Sequence, residues 1–361
     1  MILFLHNRYR ATAGEEQAVE NLLWLVRERL GEDAELLERD SAMTGRASAA
    51  AGLLRGGLDP EEVGAAVRRT RARIVHAHNI HPTFGWRALA AARAAGARVV
   101  LHLHQYRLVC AVGVCFTDGA ECTRCHGRNT LPGLIHNCRA GLGEAAVYAT
   151  ALAAWQRRTA EHVDAFVVPS EFAARRLAEL AAPVRDPRVV PHPLQHIAAA
   201  ADPRPGGYAL FAGRLEPEKG LAVAIEACAL AGVPLLVAGD GSQRVRFEGT
   251  PGVSFTGAVG QAELARLRAD AGVALVPSLF AETYALSAAE AMAAGLPVAA
   301  SRIGALPELL PEDWLVAPGD APALARTLLA LRGDRGAGAL GISRTREIVD
   351  RAQTALAAVY S

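Results

Sequence analysis

The sequence predicts an α/β protein built from two doubly wound parallel-sheet units. Three observations carry this. Short apolar runs alternate with helical patterns along the 361 residues, and such alternation implies parallel sheets with helices on both faces. The composition shifts once, between Pro191 and Gly207, where Pro191-His-Pro193 and Asp202-Pro-Arg-Pro205-Gly-Gly207 read as a linker. The alternation then restarts, and the length suits two domains of ordinary size.

The first unit offers strands at Ile2 to His6, Ala34 to Arg39, Arg73 to Ala77, Arg98 to Leu103, Asp164 to Val168 and Arg188 to Val190. Helical segments such as Glu15 to Arg29 and Glu171 to Ala181 lie between them. The second unit offers strands at Tyr208 to Ala212, Pro234 to Ala238, Val253 to Phe255, Val273 to Pro277, Pro297 to Ala300 and Trp314 to Val316. A last helix covers Ile342 to Val359. These readings divide the chain into a first domain at 1–195, a second at 206–340 and a terminal helix at 341–361. Ligands of open α/β sheets bind beyond the carboxyl ends of strands. The expected site is therefore the cleft between the two units, and Arg214, Asp240, Glu282 and Ser301 all follow strand ends of the second.

Two segments of the second unit carry chemistry. Glu282 and Glu290 stand eight positions apart in Ser278-Leu-Phe-Ala-Glu282-Thr-Tyr-Ala-Leu-Ser-Ala-Ala-Glu290-Ala-Met-Ala-Ala-Gly295. Glu282 falls at a strand-to-helix junction, and Glu290 lies about two turns, roughly 12 Å, further along. Free N–H groups and the positive dipole end at that junction favour an anion. In Gly213-Arg214-Leu-Glu-Pro-Glu-Lys219-Gly220, two cations flank one loop before a helix expected to start near Glu218. Arg can grip a diphosphate in a fork, and Lys can supply a mobile charge. Each residue alone reads as a solvated loop or helix residue.

Together the two segments closely resemble the donor site of retaining glycosyltransferases of family 4, which have the GT-B fold. The pattern G-R-L-x-x-x-K-G is followed in order by E-x7-E and E-A-M-A-x-G-x-P. The first unit fits as well, through His6-Asn7-x-Tyr9 with Ala13-Gly14-Glu15-Glu16, through Val75-His76-Ala-His78-Asn79, and through Leu101-His102-Leu-His104-Gln-Tyr106-Arg107. The resemblance implies that Arg214 and Lys219, after Gly213, hold a donor diphosphate. It implies that Thr283, Tyr284, Ala285 and Leu286 offer backbone N–H groups to it, that Glu290 binds ribose hydroxyls, and that Glu282 binds the transferred sugar. It places Gly14 where backbone approaches a ligand, and His104 near the anomeric carbon. His78, Asn79 and His81 are candidates for acceptor binding. The family usually has glycine where Ala285 and Ala13 stand, and an added methyl narrows backbone approach.

Residues 106 to 143 form a cysteine-bearing loop. Cys110, Cys115, Cys122, Cys125 and Cys138 fall in it, and only Cys228 lies elsewhere. Cys122-Thr-Arg-Cys125 has zinc-knuckle spacing. Cys110, Cys122, Cys125 and Cys138 would close one tetrahedral structural Zn2+ site, with Cys115, His126 and His136 as substitutes for any one of them. Buried thiols and a redox pair are the alternatives. GT-B enzymes do not generally need a catalytic metal, and no Asp-x-Asp motif stands at a suitable strand end.

Bulk composition bounds the function. With 51% hydrophobic and 5% aromatic residues, the cores are aliphatic and alanine-rich. A formal net charge of +1 argues against a nucleic-acid binder. The run Arg68-Arg69-Thr70-Arg71-Ala72-Arg73 reads as a solvated helix end, with contact to an anionic membrane as the alternative. Met1 leads straight into a strand too short for a signal segment, and the longest apolar stretches are broken by Gly232 and Pro234. The expectation is a cytoplasmic protein, at most peripheral to the inner face of a membrane, with reduced cysteines.

The resulting expectation is transfer of a hexose or N-acetylhexosamine from a UDP or GDP sugar to a hydroxyl acceptor, with retention. The acceptor is a polysaccharide, a lipid-linked saccharide or a natural product. The rivals are another GT-B enzyme, such as a sugar-nucleotide epimerase or phosphorylase, and a zinc-knuckle binding scaffold.

Overall fold

The computed structural model describes residues 1–9, 14–139 and 141–361. Ala13 of the first-loop motif lies outside them. The chain forms two compact units. One comprises Met1–Thr117, Glu121–Pro193 and Arg351–Ser361, and the other comprises Leu194–Asp350 with Asp118–Ala120.

The strands, in chain order, are β1 (Ile2–Arg8), β2 (Ala34–Asp40), β3 (Ile74–Ala77), β4 (Arg98–His102), β5 (Phe116–Thr117), β6 (Ala120–Glu121), β7 (Ala165–Val168) and β8 (Arg188–Val189), then β9 (Tyr208–Ala212), β10 (Leu235–Ala238), β11 (Val253–Gly257), β12 (Ala271–Val276), β13 (Val298–Ser301) and β14 (Leu315–Val316). The first unit holds a six-stranded sheet in the order β2-β1-β3-β4-β7-β8, parallel throughout. The second holds β11-β10-β9-β12-β13-β14, also parallel. β5 and β6 make a separate two-stranded sheet inside the cysteine loop.

Parallel sheets covered on both faces demand nearly continuous apolar strands. Ile2, Leu3, Phe4 and Leu5 are fully buried, and every residue of β12 is buried. Helix starts are fixed locally. The Ser170 side chain accepts from the Ala173 N–H at 3.0 Å, and Asp320 accepts from Ala323 at 2.8 Å, each satisfying a donor the helix cannot.

Beyond shifts of a residue or two at many element ends, three helix boundaries differ from expectation. The first helix is α-helical over Gly14–Trp24 and continues as a wider turn over Leu25–Arg29. Pro217–Lys219 form one 3-10 turn, and the helix proper begins at Leu221. Gly220 (φ +73) makes this break, since a Cβ there would stand 1.9 Å from the Pro277 carbonyl oxygen. The last helix starts at Arg335, earlier than Ile342, and runs to Tyr360. Its glycines hid it, yet they permit close packing. A Cβ on Gly338 would lie 2.2 Å from the Gly295 carbonyl oxygen. Asp334 caps its start by accepting from Gly336 at 2.8 Å and Ala337 at 3.1 Å.

In each sheet the strand order reverses beside its first strand, between β1 and β3 and between β9 and β12. Those switch points open a crevice at the carboxyl ends of the strands.

Candidate active site

In the second unit, the loops after β9 and β12 meet at the switch point. Lys219 Nζ donates to Glu282 Oε1 at 2.8 Å, and Ser278 Oγ donates to the same oxygen at 2.6 Å. Glu282 and Ser278 are 6% and 1% exposed, and these two donors satisfy an oxygen that water does not reach. Lys219 also stands 4.8 Å above the Phe280 ring. The Leu279 N–H donates to the Glu218 carbonyl at 2.8 Å, tying the two loops together. Arg214 pairs with Glu218 at 3.1 Å but keeps an exposed side chain. Asp240 pairs with Arg244 at 3.3 Å.

Glu290 sits on the helix Leu286–Ala293 and is engaged by Arg268, which is itself buried. Arg268 was not foreseen. It lies on a helix distant in sequence, and its only signal was a cation among apolar helix neighbours. Ala285 begins the Leu286–Ala293 helix at φ +66, in the left-handed region. A side chain there costs about 1–2 kcal/mol relative to glycine. Gly213 follows β9, and Thr283 and Tyr284 complete the Glu282 loop.

In the first unit, a hollow of about 330 Å³ is lined by Tyr9, Glu15, His78, Asn79, His81, His104 and Gln105, among others. Tyr9 donates its hydroxyl to Glu15 Oε2 at 2.7 Å, and Gln105 donates to the same oxygen at 3.1 Å. Burial pushes the Glu15 carboxyl up from its ordinary range and the Tyr9 phenol well up. Gly14 opens the helix that carries Glu15. His104 Nε2 shares a hydrogen bond with His78 Nδ1 at 2.8 Å, and its Nδ1 meets His192 Nε2 at 3.3 Å. Burial holds His78 and His104 well below the ordinary histidine value, His81 and His192 at about 3. His192 was also missed, read as part of a linker. A histidine between two prolines just past a strand end was its one signal.

All six cysteines are free thiols. Cys110, Cys115, Cys122, Cys125 and Cys138 line one hollow of about 390 Å³ together with His136. The donor set suits zinc. The spacing is wider than a zinc tetrahedron, because among the described residues the groups with ligand atoms within 4.8 Å of one another are histidine triples, not cysteines. Of the basic run, Arg69 pairs with Glu35 and Arg73 with Glu32. Among the described residues no helix is long and apolar enough to cross a membrane.

Two parallel Rossmann-type sheets with these loops define the GT-B architecture, and solved structures of that class superpose on the chain. Sucrose-phosphate synthase from Thermosynechococcus elongatus aligns at TM-score 0.65 and 18% identity, covering 99% of this chain and 98% of that one. Anabaena HepE in complex with UDP-glucose aligns at TM-score 0.62 and 17% identity, covering 99% of each chain. In sequence, sulfoquinovosyl transferase SQD2 of Arabidopsis thaliana is 38% identical over 112 residues, 29% of this chain and 20% of that protein. The chain spans no more than two fifths of the length of any of the first three curated relatives it matches, at 20%, 17% and 39%. The chain belongs to the glycosyltransferases: the family described as glycosyl transferase 4-like domain matches residues 9–194, and that described as glycosyl transferases group 1 matches residues 206–334.

Proposed function

We propose that the chain transfers a hexosyl or N-acetylhexosaminyl group from a nucleoside diphosphate sugar to a hydroxyl acceptor, with retention at the anomeric carbon. The observation that carries the reading is the Lys219–Glu282–Ser278 triangle at the switch point of the second sheet, beside exposed Arg214. In this reading Arg214 and Lys219 bind the diphosphate, after swinging from Glu218 and Glu282. The N–H groups of Thr283 to Leu286 add to them. Glu282 orients the sugar hydroxyls. Glu290, steadied by Arg268, accepts from the ribose. Gly14 allows close approach of backbone in the first unit, and His104 is that unit's contribution near the reacting carbon. To reach a ligand, His104 gives up its longer contact, the one to His192.

The chemistry follows from charge. The bond from the anomeric carbon to the departing phosphate oxygen breaks, and negative charge grows on the diphosphate. Cations brought onto the diphosphate and fixed backbone N–H donors lower that barrier. The acceptor oxygen attacks from the same face, and its proton passes to a phosphate oxygen of the leaving group. A uridine diphosphate sugar is the first donor to test, since HepE was solved with UDP-glucose. The acceptor is a saccharide, lipid-linked or a natural product. A structural Zn2+ on Cys110, Cys122, Cys125 and Cys138 belongs to the same reading. It would cross-link a loop that has two short strands and one short helix, Leu131–Ile135, as its regular structure.

A thermal-shift screen with UDP, GDP and their sugars identifies the donor, and NMR of the product gives the anomeric configuration. Glu282→Ala and Lys219→Ala are each expected to lower turnover at least ~100-fold. Near-wild-type turnover in both, or a product with inverted configuration, defeats the reading. Release of an epimerised sugar nucleotide or of a sugar phosphate would reassign the chain within its fold.

A further inference from the structure

The first sheet has two unlike faces. Leu3, Leu5, Val75, Ala77, Val99 and Leu101 make one of them and pack into an apolar core. The register puts Phe4 opposite His76, and His76 opposite Val100. Side chains alternate along a strand, so the other face carries His6, His76, His78, His102 and His104 on three adjacent central strands. The rings confirm it. His76 and His78 centroids lie 4.4 Å apart, His76 and His102 5.5 Å, and His78 and His102 5.4 Å. Sugar transfer as proposed gives no task to His76 or His102.

A sheet face built for packing alone would be apolar. Here His76, His78 and His102 are 0%, 3% and 1% exposed. Burial drives all three toward the neutral form, His76 to about 3. A neutral imidazole keeps one N–H and one lone pair. Nε2 of His76, Nε2 of His78 and both ring nitrogens of His102 are buried with no hydrogen-bond partner among the described residues. A buried polar atom left so costs about 1–3 kcal/mol. One ring nitrogen from each of the three lies within 4.8 Å of the other two.

We propose that His76, His78 and His102 bind one divalent cation of the zinc class. Three imidazoles without a carboxylate select borderline metals such as Zn2+, Co2+ or Ni2+, whereas Mg2+ and Ca2+ require oxygen ligands. Metal–nitrogen bonds of about 2.0–2.1 Å set tetrahedral nitrogens about 3.3 Å apart, which small ring rotations reach. The orientation is already set from outside. The Tyr360 hydroxyl bonds His76 Nδ1 at 2.7 Å, and His104 Nε2 bonds His78 Nδ1 at 2.8 Å. Both Nδ1 atoms are thus engaged and both Nε2 atoms are left for a ligand, the arrangement by which outer partners fix a ligating imidazole. His78 and His102 also line the 330 Å³ hollow. That hollow gives an ion a way in and room for a fourth ligand. The site shares no residue with the cysteine loop and does not depend on the proposed transfer reaction.

The test uses the full chain, stripped of metal and titrated with Co2+ as a spectroscopic probe. One equivalent is expected to give visible d–d bands of tetrahedral, nitrogen-bound cobalt that persist in a Cys122→Ser/Cys125→Ser variant. His102→Gln should weaken that binding at least ~100-fold, and Tyr360→Phe by about 10–100-fold, as for other outer partners. Should the histidine variants fail to fold, the wild-type chain with 15N-labelled histidine decides the matter. One equivalent of Zn2+ must then shift ring nitrogens of three buried histidines. The proposal is overturned by cobalt bands that carry thiolate charge transfer and vanish in the cysteine variant, by binding indifferent to His102→Gln, or by unshifted histidine nitrogens.

Discussion

Replacing Lys219 by Met separates what this residue does for folding from what it does for ligand. The stem of the side chain survives, but Glu282 loses its 2.8 Å cation and keeps only the Ser278 hydroxyl at 2.6 Å. Glu282 is 6% exposed, so water does not take the place of the ammonium. Breaking a buried pair in this way costs about 3–5 kcal/mol. The Lys219 side chain is 20% exposed, which argues for the low end, about 3 kcal/mol. For a unit of this size that lowers Tm by roughly 6–12 °C. In Lys219→Met/Glu282→Gln neither charge remains, and stability should return to within about 1 kcal/mol of wild type. UDP binding should not return. Loss of a charged hydrogen bond to a diphosphate weakens it at least ~10-fold in both variants. Urea unfolding of wild type, Lys219→Met, Glu282→Gln and the double variant gives the coupling energy, and isothermal titration with UDP gives affinity. A coupling below about 0.5 kcal/mol, the scatter expected of independent sites, would refute the buried-pair argument. Normal UDP binding by the double variant would refute the diphosphate role.

Other outcomes follow from the same geometry. His76 and His192 are held by burial at about 3 against an ordinary 6.5. Between those values the unfolded chain binds more protons, so stability falls as pH falls. The slope is about 1.4 kcal/mol per pH unit for each group. Urea unfolding with chelator present should therefore show a loss of stability between pH 7.5 and 5.5 to which His76, His81 and His192 each contribute about 1.4 kcal/mol, with His78, His102 and His104 adding to it, and His192→Gln should remove about 1.4 kcal/mol of that loss; a flat profile counts against neutral burial. Gly220→Ala forces a methyl to 1.9 Å from the Pro277 carbonyl oxygen at a positive φ. It should destabilise the second unit by at least about 2 kcal/mol, read as a lowered urea midpoint, and an unchanged midpoint would mean that the loop is not where it is described. Ser170→Ala should cost about 1 kcal/mol through its lost helix cap, whereas Ser170→Gly should cost only a few tenths.

Twelve strands could be located, the central ones because parallel strands buried on both faces leave an uninterrupted apolar signature. Their ends moved by a residue or two, as at β12, which begins at Ala271 because the alanine and glycine ahead of Val273 carry little hydropathy. The turn at Pro217 was legible as a proline but not as a separate turn, since the clash that requires Gly220 comes from Pro277, far along the chain. Long-range partners were illegible for the same reason. Nothing near Glu290 announces Arg268, and nothing near His76 announces Tyr360. Ala285 is the opposite case. Its departure from glycine was visible in sequence, and the φ of +66 gives the physical cost of that departure. The cysteine cluster was legible as a cluster, but sequence spacing could not give the separation of its sulfurs.

Tyr360 has a consequence for how the protein is made. The amino-terminal unit is discontinuous, using residues up to Pro193 and then Arg351–Ser361, whereas the other is almost wholly one stretch of chain. During synthesis, Arg73 and Arg98 wait for the carbonyls of Tyr360 and Val359, and the His76 ring waits for the Tyr360 phenol. The half that is translated first is therefore the half that closes last, and a nascent chain that has not yet passed Asp350 holds an open earlier-made half beside an almost complete later-made one.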